Sequence, residues 1–104
     1  VNQFILVGRI VEKPILQLTS VNIKYTFLSL AVKRNFKNAD GVYERDIFQI
    51  TLWRGIAEEV IDTCDKDTLL AIRGRVITSF YTSEENKTYT NYEFVAERVQ
   101  YLEV

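Results

Sequence analysis

The stretch Tyr43-Glu-Arg-Asp-Ile-Phe-Gln-Ile-Thr-Leu-Trp-Arg-Gly-Ile-Ala-Glu-Glu-Val-Ile-Asp-Thr-Cys64 changes its hydrophobic period halfway along. Over residues 45–53, Phe48, Ile50 and Leu52 share one parity, while Ile47, Gln49, Thr51 and Trp53 share the other. That alternation predicts a strand with one buried face and one mixed face. From Ile56 onward, Ile56, Ala57, Val60, Ile61 and Cys64 recur at helical spacing, with Glu58, Glu59 and Asp62 off that stripe. The switch from strand to helix therefore falls at Arg54-Gly55. The acidic pair suits a helix N-terminus and Lys66 its far end, whereas Asp65 runs against that charge pattern.

Outward from this stretch, the chain divides into alternating segments. Residues 3–11 form a first strand, in which Gly8 marks a bend, a bulge or a close backbone approach. Glu12-Lys-Pro14 ends it. Residues 15–18 read as an extended connection or a minor strand, and residues 20–24 as a turn. A second strand over residues 25–34 places Leu28, Leu30 and Val32 inside, with Phe27, Ser29, Ala31 and Lys33 outside. Residues 35–41 form the loop of a long hairpin, with Asp40-Gly41 as its turn signal. After the helix and a turn at 65–68, a fourth strand over 68–81 carries Leu70, Ile72 and Val76 inward. Gly74 gives it room to bend. Residues 82–87 form a second exposed loop, and 88–102 a fifth strand. There Tyr92, Phe94, Val95, Val99 and Tyr101 do not share one parity, which leaves room for contact with a partner subunit. The order is three strands, one helix, two strands. It matches an OB-fold barrel, which removes exposed strand edges by closing on itself. An open sheet with one packed helix is the alternative.

The 104 residues suit one small domain, and a hydrophobic fraction of 47% is that of a folded chain. No run is long and apolar enough to span a membrane, and the first residues lack the pattern of a signal peptide. A single cysteine makes no internal disulfide, so a cytoplasmic setting is expected, with Cys64 as a buried helix residue. Formal net charge is −1, but residues 1–37 hold Arg9, Lys13, Lys24, Lys33, Arg34 and Lys37 against Glu12 alone. That front half suits either a polyanion or a set of solvated strand ends.

Catalytic material is sparse. There is no histidine, no phosphate-cradling Gly-Lys-Ser/Thr loop, and no carboxylate pair in a recognisable acid–base motif. Asp62, Asp65 and Asp67 read as a solvated helix end and turn rather than a metal site. No enzyme activity, cofactor or metal is expected. The aromatic and basic residues are more informative. Ile47, Gln49, Thr51 and Trp53 share a surface, beside which Arg73, Arg75 and Tyr81 are expected. Phe36 extends it if its hairpin folds over. Stacking rings interleaved with cations suit the exposed base faces and phosphates of a single strand. Each ring also has a plainer role open to it: Trp53 as a core residue at a strand end, Phe36 as cover for its loop base, and Tyr81 as an ordinary exposed strand aromatic.

The segments Asn2-Gln-Phe-Ile-Leu-Val-Gly-Arg-Ile10, Phe27-Leu-Ser-Leu-Ala-Val-Lys-Arg-Asn-Phe36, Asp46-Ile-Phe-Gln-Ile-Thr-Leu-Trp-Arg54, Leu70-Ala-Ile-Arg-Gly-Arg-Val76 and Val95-Ala-Glu-Arg-Val-Gln-Tyr-Leu102 occur in an order that resembles the bacterial single-stranded DNA-binding proteins. The resemblance covers essentially the whole chain. It implies an all-β, five-stranded OB-fold barrel with one helix between strands 3 and 4. It also implies base stacking on Phe36, Trp53 and Tyr81. A fourth stacking position of that family, often Trp or Phe, falls at Ile47, which lacks a π-face. Arg9, Lys33, Arg34, Arg73 and Arg75 are placed for phosphates by pattern. The family's usual homotetramer is expected, with a dimeric primosomal relative or a protein-interaction domain as the other readings. A flexible tail that recruits replication and repair proteins is typical of the family. The residues up to Val104 contain none, so those partners are expected only if a longer protein carries one.

Overall fold

The computed structural model describes residues 1–102. Its elements are β1 (Phe4–Ile10), a two-residue β2 (Gln17–Leu18), β3 (Lys24–Lys37), β4 (Tyr43–Trp53), α1 (Arg54–Thr63), β5 (Leu69–Thr82) and β6 (Thr88–Tyr101). The strand order is β1-β5-β6-β4-β3-β2, and β1 pairs with β3 as well. That last pairing, Arg9 with Ala31 and Ile10 with Leu30, closes β1, β5, β6, β4 and β3 into a barrel and excludes the open sheet. All neighbours are antiparallel except β4 and β6, joined in parallel at Ile50–Phe94 and Thr51–Val95.

The barrel interior is filled by the parity expected for each strand. Leu28, Leu30, Ile50, Leu52, Leu70 and Ile72 are fully buried, as are Ala57 and Val60 of α1. Each such aliphatic side chain contributes about 1.5–3 kcal/mol relative to exposure. Cys64 lies buried at the end of α1, and burial pushes its thiol up from the ordinary value, so it is packing rather than a nucleophile. Gly8 and Gly74 sit where backbones meet. A Cβ on Gly8 would run into the Ala31 carbonyl, and one on Gly74 into the Val95 carbonyl.

Three sequence expectations change. The helix begins at Arg54, so Glu58 and Glu59 fall outside its first turn and Lys66 lies beyond its last. Glu58 instead meets Lys24 at 3.0 Å. Both hairpins are longer than their buried parts. β3 continues through the expected loop to Lys37, and the turn is held by Asn38, whose Oδ1 accepts from the amides of Asp40 and Val42. Gly41 has φ 76° there, in the left-handed region. Finally, the broken parity of β6 has an internal cause. Gly74 pairs with Ala96 but Arg73 with Arg98, so Glu97 is an extra residue. Phe94 and Ala96 pack inward before this bulge, and Val99 and Tyr101 after it. No partner subunit is needed to account for the pattern.

Candidate nucleic-acid interface

The pairing of β3 with β4 sets Tyr25 opposite Trp53, Phe27 opposite Thr51, Ser29 opposite Gln49, Ala31 opposite Ile47, and Lys33 opposite Arg45. All ten side chains share the outward parity, so one sheet face runs from a ring cluster to a pair of cations. Trp53 is 37% exposed and Ile47 59%. Trp53 lies against Tyr25 with centroids 5.3 Å apart and planes inclined by 37°. Tyr25 in turn meets Phe27 edge-on at 5.6 Å. The rings are thus held by one another while keeping exposed surface, which is what a preformed stacking platform needs.

The cationic end is equally specific. Lys33 and Arg45 face each other directly across the ladder, an unfavourable arrangement unless an anion or another ring intervenes. Lys33 Nζ lies 4.3 Å above the Tyr43 ring, with Lys37 Nζ at 5.6 Å. A hollow of about 180 Å³ brings Arg9, Lys33 and Arg45 together where β1 meets β3. Arg9 is anchored there by its donation to the Asp67 carbonyl at 2.9 Å. Three cations lining one hollow suit a phosphate.

On the other side of β4 lies an open groove of about 400 Å³. Phe27, Ile47, Gln49 and Thr51 form one wall and residues 91–94 of β6 the other. Tyr92, 66% exposed, is the ring on that second wall.

The expected site residues fall into four groups. Trp53, Ile47, Lys33 and Arg9 belong to the face just described. Tyr81, Arg73 and Arg75 lie on the outward parity of β5, and none of them lines the groove. Tyr81 stacks on its cross-strand neighbour Tyr89 at 5.2 Å, near the hairpin tip. Arg73 faces Arg98, and Arg75 meets Glu97 at 3.4 Å. Phe36 is exposed in the irregular part of β3, where two extra residues separate the Lys33 and Lys37 pairings. Arg34 stands apart. It has the inward parity of β3 and, beyond the barrel, binds two carboxylates: Asp46 at 2.8 Å and Glu44 at 2.7 Å. Its hydrogen bonds hold the Asp46 carboxyl below the usual range.

Tyr25, Phe27, Arg45 and Tyr92 were not singled out from sequence. The first three carried a usable signal, because each has the same strand parity as Lys33 or Trp53. Tyr92 carried none, because its place depends on how β6 meets β4.

Residues 1–102 match the Single-strand binding protein family. The chain is 38% identical over 102 residues to single-stranded DNA-binding protein B of Bacillus subtilis, spanning 98% of this chain and 90% of that protein. It is 39% identical to single-stranded DNA-binding protein 3 of Listeria innocua, over 98% of this chain and 64% of the relative. Among solved structures, a deletion mutant of the single-stranded DNA binding protein from Thermus aquaticus superposes with a TM-score of 0.78. That match covers 99% of this chain and 51% of the other at 23% identity, and it shows the shared OB-fold barrel. The chain belongs to the Single-strand binding protein family.

Proposed function

We propose that this protein binds single-stranded DNA with little sequence preference, coating it during replication, recombination and repair. The observation that carries this reading is the outward face of β3 and β4, where Tyr25, Phe27 and Trp53 adjoin Ile47 and end at Lys33 and Arg45. Rings accept the face of any base, and cations accept the phosphates that every nucleotide shares. A duplex hides its base faces, so the surface selects unpaired strands. The activity is equilibrium binding without bond cleavage. Residues 1–104 act as one domain in the cytoplasm, and replication and repair proteins join through a tail where a longer protein has one. Phe36 and Tyr81 add stacking from the two hairpins, with Arg73 and Arg75 meeting phosphates along the outside of β5.

We further propose a homotetramer. Ile5 and Val7 project from β1 and are 64% and 47% exposed, an apolar row on a strand that otherwise anchors the barrel. Light scattering that returns the mass of four chains supports this assembly, and a two-chain mass replaces it with a dimer.

The test of binding uses the single tryptophan. Oligothymidine of increasing length is titrated into the protein at low and moderate salt while Trp53 emission is followed. Saturable quenching that weakens with salt is the expected result. Unchanged emission together with unchanged anisotropy of a labelled strand overturns the reading. A duplex bound as tightly as the single strand at matched salt overturns it as well.

A further inference from the structure

The ladder between β3 and β4 pairs residue for residue from Tyr25–Trp53 to Lys33–Arg45 and resumes only at Lys37–Tyr43. Between those rungs stand Arg34, Asn35 and Phe36 on β3 and Glu44 alone on β4. The mismatch leaves the outer hairpin without regular pairing at its root. A two-stranded ribbon with no core face is marginal in water by itself. Yet this ribbon carries Lys37 and Tyr43, and Lys33 lies over the Tyr43 ring.

Side chains bridge the interruption. Arg34 Nε and Nη2 donate to Asp46 at 3.1 and 2.8 Å, and Nη1 donates to Glu44 Oε2 at 2.7 Å. The other oxygen, Glu44 Oε1, accepts from Asn38 Nδ2 at 3.2 Å. Asn38 Oδ1 in turn accepts from the amides of Asp40 and Val42 at 2.9 and 3.0 Å. The series runs unbroken from Asp46, on the barrel side of the interruption, to the turn. It has the parity opposite to Lys33, Tyr43 and Arg45, so it holds the ribbon from behind their face. Arg34, Glu44 and Asp46 stay half-exposed, and ion pairs so placed add little to global stability. Their effect is local: a guanidinium fixed between two carboxylates sets the angle at which the ribbon leaves the barrel. A planar fork can span both carboxylates, whereas an ammonium is a single point of charge.

We propose that Arg34 is a positioning residue for single-strand binding: by bridging Asp46 and Glu44 it holds the β3–β4 hairpin in its binding geometry before a strand arrives. The inference rests on the single-strand-binding reading and deepens it. Arg34 acts through Lys33, Lys37 and Tyr43 rather than on a nucleotide. Without the bridge, the hairpin must be ordered during binding, and affinity falls by that cost.

The test uses two variants. Arg34→Lys keeps the charge and loses the fork. Arg34→Gln combined with Glu44→Gln removes the bridge at unchanged net charge. Amide hydrogen exchange of residues 35–43 is followed in the free protein, with the amides of β5 as the control for global folding. Affinity for oligothymidine is measured over a salt series. Both variants are expected to exchange faster at 35–43 and as wild type in β5. Both should bind about 3- to 10-fold more weakly, the range for ordering one long side chain on binding. The slope of log K against log salt should stay unchanged. Arg34→Lys binding within about threefold of wild type overturns the proposal, since a point charge then suffices. So does weaker binding with unchanged exchange at 35–43. A shallower salt slope in the double variant places Arg34 at a phosphate and overturns it too. Faster exchange throughout β5 does the same, by assigning Arg34 to global stability. A wild-type protein that binds no oligothymidine removes the underlying reading itself, and so is told apart from failure of the positioning role alone.

Discussion

Lys33 and Arg34 are adjacent and carry the same charge, yet the strand turns them to opposite faces. Lys33 lies over the Tyr43 ring on the outward face, while Arg34 is held by Asp46 and Glu44. A guanidinium already committed to two carboxylates gains little from a phosphate. Lys33→Ala is therefore expected to lower the magnitude of the salt slope for single-stranded DNA by about 0.7, the loss of one phosphate contact. Arg34→Ala should leave that slope unchanged, and an equal drop for both variants would place Arg34 at the strand after all. Arg34 has its own signature in stability. Its hydrogen bonds depress the Asp46 pKa, so the pair's contribution is present above the ordinary aspartate value, about 3.9, and is lost as pH falls through the lower folded value. The Arg34→Ala variant should show a flatter loss of stability below about pH 4 in thermal melts. An unchanged acid limb would mean that the pair is not formed in solution.

At the scale of elements, the junction of β4 and α1 stores strain. Arg54 has φ 52°, a left-handed conformation that disfavours a side chain with a Cβ, and Trp53 at the helix start makes no side-chain cap. Arg54→Gly is expected to raise the unfolding free energy by up to about 1 kcal/mol, as relief of strain outweighs added chain entropy. Urea unfolding measures it, and a lower midpoint would mean that Arg54 contributes contacts worth more than its strain. This junction was legible in sequence, because a period of two gives way there to a helical one. The inward residues of β3, β4 and β5 were legible for the same reason, and so was the common face of Ile47 and Trp53. The extent of the first hairpin was not. Asn35 and Lys37 are poor strand formers, and pairing outside a core leaves no burial pattern to read. The bulge at Glu97 hid which face of β6 is buried, because one inserted residue moves every later side chain to the other face. The Arg34 pairing and the place of Tyr92 were invisible, since both depend on which residues stand across the ladder.

For the whole molecule, the question is how a chain with a net charge of −1 holds a polyanion. The answer lies in distribution. Lys33 faces Arg45 across one rung and Arg73 faces Arg98 across another, whereas Arg34 and Lys24 are matched locally by carboxylates. Not every cation is left to displace counterions, and the rings supply much of the remaining contact. On single strands each neutralised phosphate contributes about −0.7 to the slope of log K against log salt. Four such contacts, at Lys33, Arg45, Arg73 and Arg75, give a slope of roughly −3 per protomer, shallow enough for stacking to sustain binding at salt that strips a purely electrostatic binder. Affinity for oligothymidine, measured over a tenfold range of salt, checks this. A slope steeper than roughly −5 would require more phosphates than these four cations can serve.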